Sequence, residues 1–401
     1  MSILLGRKEG RHFVRKPVTR VCTAILLLVC CVVFSPRSAA QQNWTWTKEV
    51  VDTAGRSMSM AVDDAGNVHI SYGSSPAPGG ELKYGFRPAG AASKWYTMTL
   101  GGGVAYTNLK LDQQSKPHIC STFFGLPLRY AHLDDKGWHI EEIAPEDNLS
   151  VQEACSVGVT PDGTVHLSWY RIPYTDHTYA HIRYAYLKEG VWLMQTLDYD
   201  MQTGKWNSMV IDPQGNPEIS YDAFVKGLMK VASWDGSHWK ISIVDSRGAH
   251  GEDYSLGMGS SIMMDEKGVF HVAYYTQTEV RHAWLDGKTW KVETVDKVEP
   301  TGTAYDYRTS LVLDRDGTLH MSYEDNGVLK HAFREDGQWR VQIIAGTGTA
   351  RSRFNFMTVD RKENIIYLAF ADAVDGAVKV AVGRKSEPSQ TASGGNTAVK
   401  P

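Results

Sequence analysis

Residues 261–275 read SIMMDEKGVFHVAYY, and residues 310–324 read SLVLDRDGTLHMSYE. In each, an alternating apolar run ends at an aspartate (Asp265, Asp314) and a D-x-x-G turn follows. A second alternating run then carries a histidine and a tyrosine (His271 and Tyr274, His320 and Tyr323). Period-two runs separated by Gly-containing turns are half-buried antiparallel strands joined as hairpins. Residues 280–296 (VRHAWLDGKTWKVETVD) and 329–345 (LKHAFREDGQWRVQIIA) continue each unit. They supply a third run, a D-G turn and a fourth run that opens on tryptophan. Four strands per unit make the blade of a propeller.

The same unit runs along the whole chain. Trp46, Trp95, Trp138, Trp192, Trp239, Trp290 and Trp339 recur at spacings of 49, 43, 54, 47, 51 and 49 residues, a period of propeller-blade size. The turn after the first strand starts at Asp63, Asp112, Thr160, Asp212, Asp265, Asp314 and Asp360, which counts seven units. The first fourth strand, Trp46 to Asp52, has no three strands before it, and the last three strands, which end near Gly383, have no fourth after them. Pairing the two leaves no open sheet edge. The expected fold is therefore all-β: a seven-bladed β-propeller of four-stranded antiparallel blades, with the ring closed by the N-terminal strand joining the last blade.

Outside the ring, residues 1–40 combine a basic stretch, the apolar run Val21–Phe34 and the small residues Ser38, Ala39 and Ala40. Fourteen apolar residues fall short of the roughly 20 that span a bilayer, so the segment reads as a secretory signal cleaved after Ala40, with a retained anchor as the alternative. The expected domains are the signal at 1–40, the propeller at 41–385 and a polar, disordered tail at 386–401. Removing the signal leaves 35 basic against 44 acidic residues, a net charge of −9. That balance argues against nucleic acid and, after signal cleavage, against a membrane as partner. The location implied is extracytoplasmic, periplasmic or secreted. Cys120 and Cys155 survive cleavage toward the same end of neighbouring blades, where a disulfide and two buried thiols are both open. No Gly-rich phosphate loop and no ligand spacing point to a cofactor or metal.

Several repeated residues suit structure better than chemistry. His69, His118, His166, His271 and His320 fill one column, with Glu218 and Tyr367 in its other seats. One active site has no use for five copies of a base, so the column is expected to hydrogen-bond across adjacent blades. The tryptophans should fill the outer blade interface, with Ser71, Ser168, Ser220, Ala273 and Ser322 as packing spacers.

The turns Asp235-Gly236-Ser237-His238-Trp239 and Asp286-Gly287-Lys288-Thr289-Trp290 resemble a shortened Asp-box, the BNR-type repeat turn of sialidase-like propellers. The full Ser-x-Asp-x-Gly-x-Thr-Trp pattern is not in the chain. Tyr170-Arg171-Ile172-Pro173 resembles the Arg-Ile-Pro motif that supplies one arginine of the sialidase carboxylate triad, but it lies in the third unit rather than near the start of the propeller, which argues against carrying the role over. The wider resemblance is to exported bacterial propellers built from D-x-x-G-x-x-H-h-S-Y and L-K-Y-A repeats; it implies fold and export more than activity.

Function should lie where loops depart from the repeat. Three segments do so at one end of the ring. The long loop of unit three carries Arg171, Tyr174, Asp176, His177 and Tyr179; the connection after unit four carries Arg247, His250, Glu252, Asp253 and Tyr254; the next carries Tyr305, Tyr307 and Arg308. Aromatic faces, carboxylates and arginines suit a sugar, and arginine suits an acidic one. The leading expectation is carbohydrate binding through Arg171, Tyr174, Asp176, Tyr179, Arg247, Asp253, Tyr305, Tyr307 and Arg308. One alternative is a polysaccharide lyase, with Arg247 or Arg308 neutralising a uronate, His177 or His250 removing the proton and Tyr254 protonating the leaving oxygen. A glycoside hydrolase pairing Asp176 with Glu252 or Asp253 is another. A protein-interaction scaffold with a protein ligand is the third. Whether any reaction is catalysed stays open at this level.

Overall fold

The computed structural model describes residues 44–74, 80–91, 94–123, 125–143, 150–173, 177–248, 256–299, 307–346, 354–372 and 374–386. They form seven four-stranded antiparallel sheets. The inner strands are Arg56–Val62, Tyr106–Leu111, Ser150–Val159, Ser208–Ile211, Met258–Met264, Ser310–Leu313 and Asn355–Asp360, which number blades 1 to 7. Each contacts the inner strands before and after it, and the last contacts the first, so the ring is closed. Blade 7 takes Trp44–Asp52 as its outer strand, antiparallel to Val378–Lys385, with Trp44 opposite Lys385 and Val50 opposite Lys379. This is the closure expected from the repeat count.

The D-x-x-G turn has a simple cause. Asp63 Oδ1 accepts from the backbone N–H of Ala65 (3.0 Å) and Asn67 (2.8 Å), and Gly66 takes φ +82°, a left-handed conformation open to glycine. Asp212 and Asp265 repeat these bonds two and four residues on.

An inner strand is a sheet edge, and its outward N–H groups need acceptors. A Ser or Asn of the preceding blade supplies one at six of the seven seams. Leu109 N donates to Ser59 Oγ (3.0 Å), Val157 N to Asn108 Oδ1 (3.0 Å) and Met209 N to Ser156 Oγ (3.0 Å). Ile262 N donates to Ser208 Oγ (3.3 Å), Leu311 N to Ser261 Oγ (3.2 Å) and Met357 N to Ser310 Oγ (2.9 Å). At the closing seam Phe356 fills the equivalent seat and has no oxygen to offer.

A second seat joins the second strand of one blade to the inner strand of the next. Here the small residues do more than space the blades. Ser71 accepts from Thr107 (3.0 Å), Ser168 donates to Asn207 (2.7 Å), Ser220 pairs with Ser260 (3.0 Å) and Ser322 donates to Asn355 (2.6 Å). At the seam of blades 2 and 3 the same seat holds a disulfide between Cys120 and Cys155, with a Cα–Cα distance of 6.2 Å.

Further out, the aspartate six residues after the Trp of one blade binds a tyrosine and a basic residue of the next. Asp52 accepts from Tyr72 and Lys83, Asp198 from Tyr221 and Lys230, Asp245 from Tyr274 and Arg281, and Asp296 from Tyr323 and Lys330. The repeated tryptophans pack edge-on against a ring of the preceding blade: Trp138 on Tyr84 (4.9 Å), Trp192 on Tyr130 (5.5 Å), Trp239 on Tyr184 (4.9 Å) and Trp339 on His282 (5.5 Å).

The histidine column differs from expectation in its partners. It bonds within its own blade, not across blades. His69, His118 and His166 place Nδ1 on the hydroxyls of Tyr84, Tyr130 and Tyr184, and His271 and His320 place it on His282 and His331. In four of the five, Nε2 faces the turn aspartate of the same blade at 3.3–3.4 Å. The reason is register: on the antiparallel second and third strands these residues share one face.

Candidate ligand sites

Residues on or just before the inner strands of all seven blades line an axial cavity of about 70 Å³, among them Ser57, Asn108, Asn207 and Ser260. At roughly 10–15 Å³ per water it holds a few waters, so a sugar must lie across its mouth rather than inside it. Three side chains meet at the loop end. The Arg308 guanidinium of blade 6 stands 5.3 Å from the ring of Tyr106 in blade 2, and that ring lies 6.2 Å from Phe354 in blade 7. All three line the cavity. A cation over an aromatic face beside a second ring offers one charge and two apolar surfaces.

Of the other residues singled out in the sequence, Tyr174, Asp176, His250, Glu252, Asp253, Tyr254 and Tyr305 lie outside the described residues. His177 opens a short 3-10 turn, His177–Tyr179, at whose end Tyr179 is 59% exposed. Arg171 sits on the second strand of blade 3, opposite Gln152 and His181. Tyr307 is buried, its ring 5.3 Å from that of Tyr275. Arg247 grips Asp245 through Nε (3.0 and 3.2 Å) and Nη2 (2.8 Å). Of the two arginines expected as alternatives for a sugar carboxylate, Arg247 is thus held on Asp245, while Arg308 stands at the channel mouth beside Tyr106. Among the described residues no group of three His, Cys, Asp or Glu is placed to hold a metal, and no helix is long and apolar enough to cross a membrane.

Two larger cavities open on the flank of the ring, each about 440 Å³ and each at a seam between blades. Counting along the repeat puts them in the same place. The seam of blades 7 and 1 is charged: buried Arg87 lies 3.1 Å from Glu49 and 5.1 Å from the Tyr367 ring, with Asp360, Lys362, Glu363 and Arg384 around it. The seam of blades 3 and 4 is aromatic, lined by His166, Tyr184, Tyr186, Trp234 and Trp239 with Leu193, Met194, Gln195, Gly215 and Pro217. The sequence reading missed both, because each is assembled from strands of two blades that no loop motif marks. The available signal was Thr160, which breaks the aspartate column beside one of them.

Buried titratable groups elsewhere bear on stability. Glu218 takes the histidine's seat in blade 4 and accepts from Ser233 Oγ. Burial pushes its carboxyl up to about 7, outweighing that bond. A carboxyl raised above its unfolded value of 4.5 keeps its proton longer in the folded chain. Its favourable contribution is complete below about pH 4.5 and is lost as pH climbs through about 7. Glu218→Gln is expected to stabilise the protein at pH 8 by about 2 kcal/mol and to change nothing at pH 4. Urea denaturation at the two pH values checks this, and an equal effect at both refutes the assignment.

No protein-family model and no curated protein sequence matches the chain. Solved structures do resemble it. One is an ulvan lyase, from a family of polysaccharide lyases, bound to -[GlcA(1-4)Rha3S]-: TM-score 0.52, 12% identity, 84% of this chain and 95% of that chain covered. A protein of unknown function from Dyadobacter fermentans aligns with TM-score 0.51 and 12% identity over 86% of this chain and 99% of that one. The Aleuria aurantia lectin in complex with Fucalpha1-6GlcNAc aligns with TM-score 0.50 and 13% identity over 74% and 98%. At these identities the likeness is one of fold: this chain is a seven-bladed propeller with lectin and polysaccharide lyase propellers among its structural neighbours.

Proposed function

We propose that the protein is exported and binds a carbohydrate across the loop end of its channel, with acidic glycans as the preferred class. The observation that carries this reading is the meeting of Arg308, Tyr106 and Phe354 from three blades at one mouth. A guanidinium takes a carboxylate or sulfate, and the rings take the apolar face of a pyranose. The propeller neighbours solved with sugars bound, one of them containing glucuronate, support the class. The Cys120–Cys155 bond supports the compartment, since disulfides persist where the surroundings oxidise. Binding is favoured over elimination because Arg247, one of two arginines that would neutralise a uronate, has its guanidinium on Asp245.

The test is a panel of acidic and neutral polysaccharides, read by binding and by ultraviolet absorbance of unsaturated uronate. An acidic glycan is expected to bind without product, and Arg308→Ala to weaken it about tenfold or more without lowering Tm. Product formation would make the protein a lyase. Binding indifferent to Arg308, or none at all, would move the reading to a protein ligand. Recovery of the protein from the extracytoplasmic fraction, beginning at Gln41, checks the export half.

A further inference from the structure

The flank cavity between blades 3 and 4 brings two buried polar atoms without partners into one wall. In blades 1, 2 and 5 the column histidine has its Nε2 closed off by the turn aspartate at 3.4 Å, and in blade 6 that aspartate lies 3.3 Å away. Blade 3 has Thr160 in that position, and the Thr160 hydroxyl turns instead to Asp162 and to the carbonyl of Thr164. His166 is 6% exposed, and its Nε2 is buried without a partner.

A second orphan lies in the same wall. Trp95, Trp290 and Trp339 donate their indole N–H to Glu49, Ser242 and Glu293, each three residues past the tryptophan of the preceding blade. For Trp239 that position is Gln195, which is exposed, and the Trp239 Nε1 has no acceptor, as is also true of Trp46 and Trp192; at Trp239 the open N–H lies in the same cavity wall as His166. An unpaired buried donor or acceptor costs about 1–3 kcal/mol, and this cavity holds two such atoms.

The walls decide the chemistry of what fits. Trp234 occupies a place held by Arg87 in blade 1, Leu133 in blade 2 and Leu285 in blade 5, as the strand registers show. Its ring lies 5.6 Å from that of Trp239, and Tyr184 and Tyr186 stack at 6.1 Å. None of the ten lining residues is Asp, Glu, Lys or Arg, whereas the equivalent cavity between blades 7 and 1 holds six such residues. The volume, about 440 Å³, is that of a small-molecule site, typically about 300–1,000 Å³. Burial pushes the His166 imidazole down to about 4, so it is neutral at pH 7. His166 Nδ1 and the Tyr184 hydroxyl are 2.6 Å apart; where the hydroxyl donates, the ring proton sits on Nε2, and where it accepts, Nε2 is an open acceptor.

We propose that this seam is a second ligand site, separate from the loop end, that takes an uncharged sugar ring. The apolar face of the pyranose stacks against Trp234 and Tyr186, and its hydroxyls bond to His166 Nε2 and to Trp239 Nε1–H. These two open atoms, side by side in one wall, are ones a neutral polyol satisfies, since a sugar hydroxyl accepts from Nε2–H or donates to a bare Nε2. A carboxylate or sulfate would enter without a cation to meet it and is excluded.

Two substitutions in the full-length protein test this with neutral methyl pyranosides of glucose, galactose, mannose and fucose and, as the charged control, methyl glucuronide. Binding is read by tryptophan fluorescence and ligand-observed NMR. Trp234→Ala removes the stacking wall. Thr160→Asp restores the aspartate that all six other blades have and that faces the column histidine in four of them, closing His166 Nε2 while keeping the fold. At least one neutral pyranoside is expected to bind with millimolar or tighter affinity, and methyl glucuronide not to bind at this seam. Each variant should weaken that neutral sugar about tenfold or more, while Arg308→Ala leaves it unchanged. The proposal is overturned if no neutral pyranoside binds, if either seam variant binds as well as the parent with Tm retained, or if Arg308→Ala abolishes the same binding.

Discussion

A chain that begins at Thr53 is expected not to fold as a monomer. Removing Trp44–Asp52 strips blade 7 of its outer strand and leaves the edge of Val378–Lys385 open along its length. The strand also packs the neighbours on both sides. Trp44, 5% exposed, meets the rings of His320 and His331 at 4.9 and 6.0 Å in blade 6, while Asp52 holds Tyr72 and Lys83 of blade 1, each at 2.7 Å. Loss of one buried tryptophan costs about 3–5 kcal/mol. The missing Asp52 adds the cost of a buried phenol and a lysine left unpaired, and the open edge invites pairing between chains. Against a net stability of about 5–15 kcal/mol, the sum is decisive. Size exclusion and a circular dichroism melt read it: the truncated chain should elute as aggregate with no cooperative transition. A monomer melting within a few degrees of the parent would show that the ring does not depend on this closure.

Asp245→Ala is expected to destabilise the protein by about 3 kcal/mol, the low end of the cost of breaking a buried ion pair, because Arg281 keeps Glu279 as a second partner at 2.8 Å. The Asp245 side chain is 3% exposed and accepts from the Tyr274 hydroxyl (2.7 Å), Arg281 (3.0 Å) and Arg247 (2.8 Å). Burial alone would raise its carboxyl, but the bonds from Arg247 and Tyr274 outweigh that and hold it below the usual range. Asp296 is the internal comparison. Its side chain is 25% exposed against 3% for Asp245, while the basic partner of each keeps a second acceptor, Lys330 in Asp325 (2.7 Å) and Arg281 in Glu279 (2.8 Å). Asp296→Ala should therefore cost clearly less. Guanidinium denaturation of both variants decides the point, and equal losses would mean that burial does not set the strength of these contacts.

The ring was legible because its signals are local and repeated. Alternation marks the half-buried strands, Asp63 and its equivalents mark the turns, and Trp46 without preceding strands marks the closure. The contacts that hold blades together were harder to read. Ser59, Ser156 and Ser310 are unremarkable serines until their oxygens are seen against a neighbour's N–H, and Ser168 reads as a spacer because its partner, Asn207, lies 39 residues away. Histidines such as His69 were rightly read as structural but given partners in the wrong blade, since sequence shows a column and not the register of the strand beside it. The candidate loops yielded Arg308 at the channel mouth and Tyr307 in the core. Both precede the inner strand, which begins at Ser310, and a list of polar loop residues does not say which way each faces. The flank cavity needed a comparison of blades in space, because the threonine at 160 acquires meaning only beside the four blades in which an aspartate there faces the column histidine.

The seat that links Cys120 to Cys155 is the one that links Ser71 to Thr107, Ser168 to Asn207, Ser220 to Ser260 and Ser322 to Asn355. Nature has run a substitution series around one molecule, with covalent and non-covalent rivets fitted to the same holes. A rivet hole that accepts either is dimensioned by the backbone, so the spacing of neighbouring blades is a property of the barrel of strands and not of the fastener. The propeller can then trade a reversible fastener for a permanent one at a single seam and leave the bore, the mouth and the flank undisturbed.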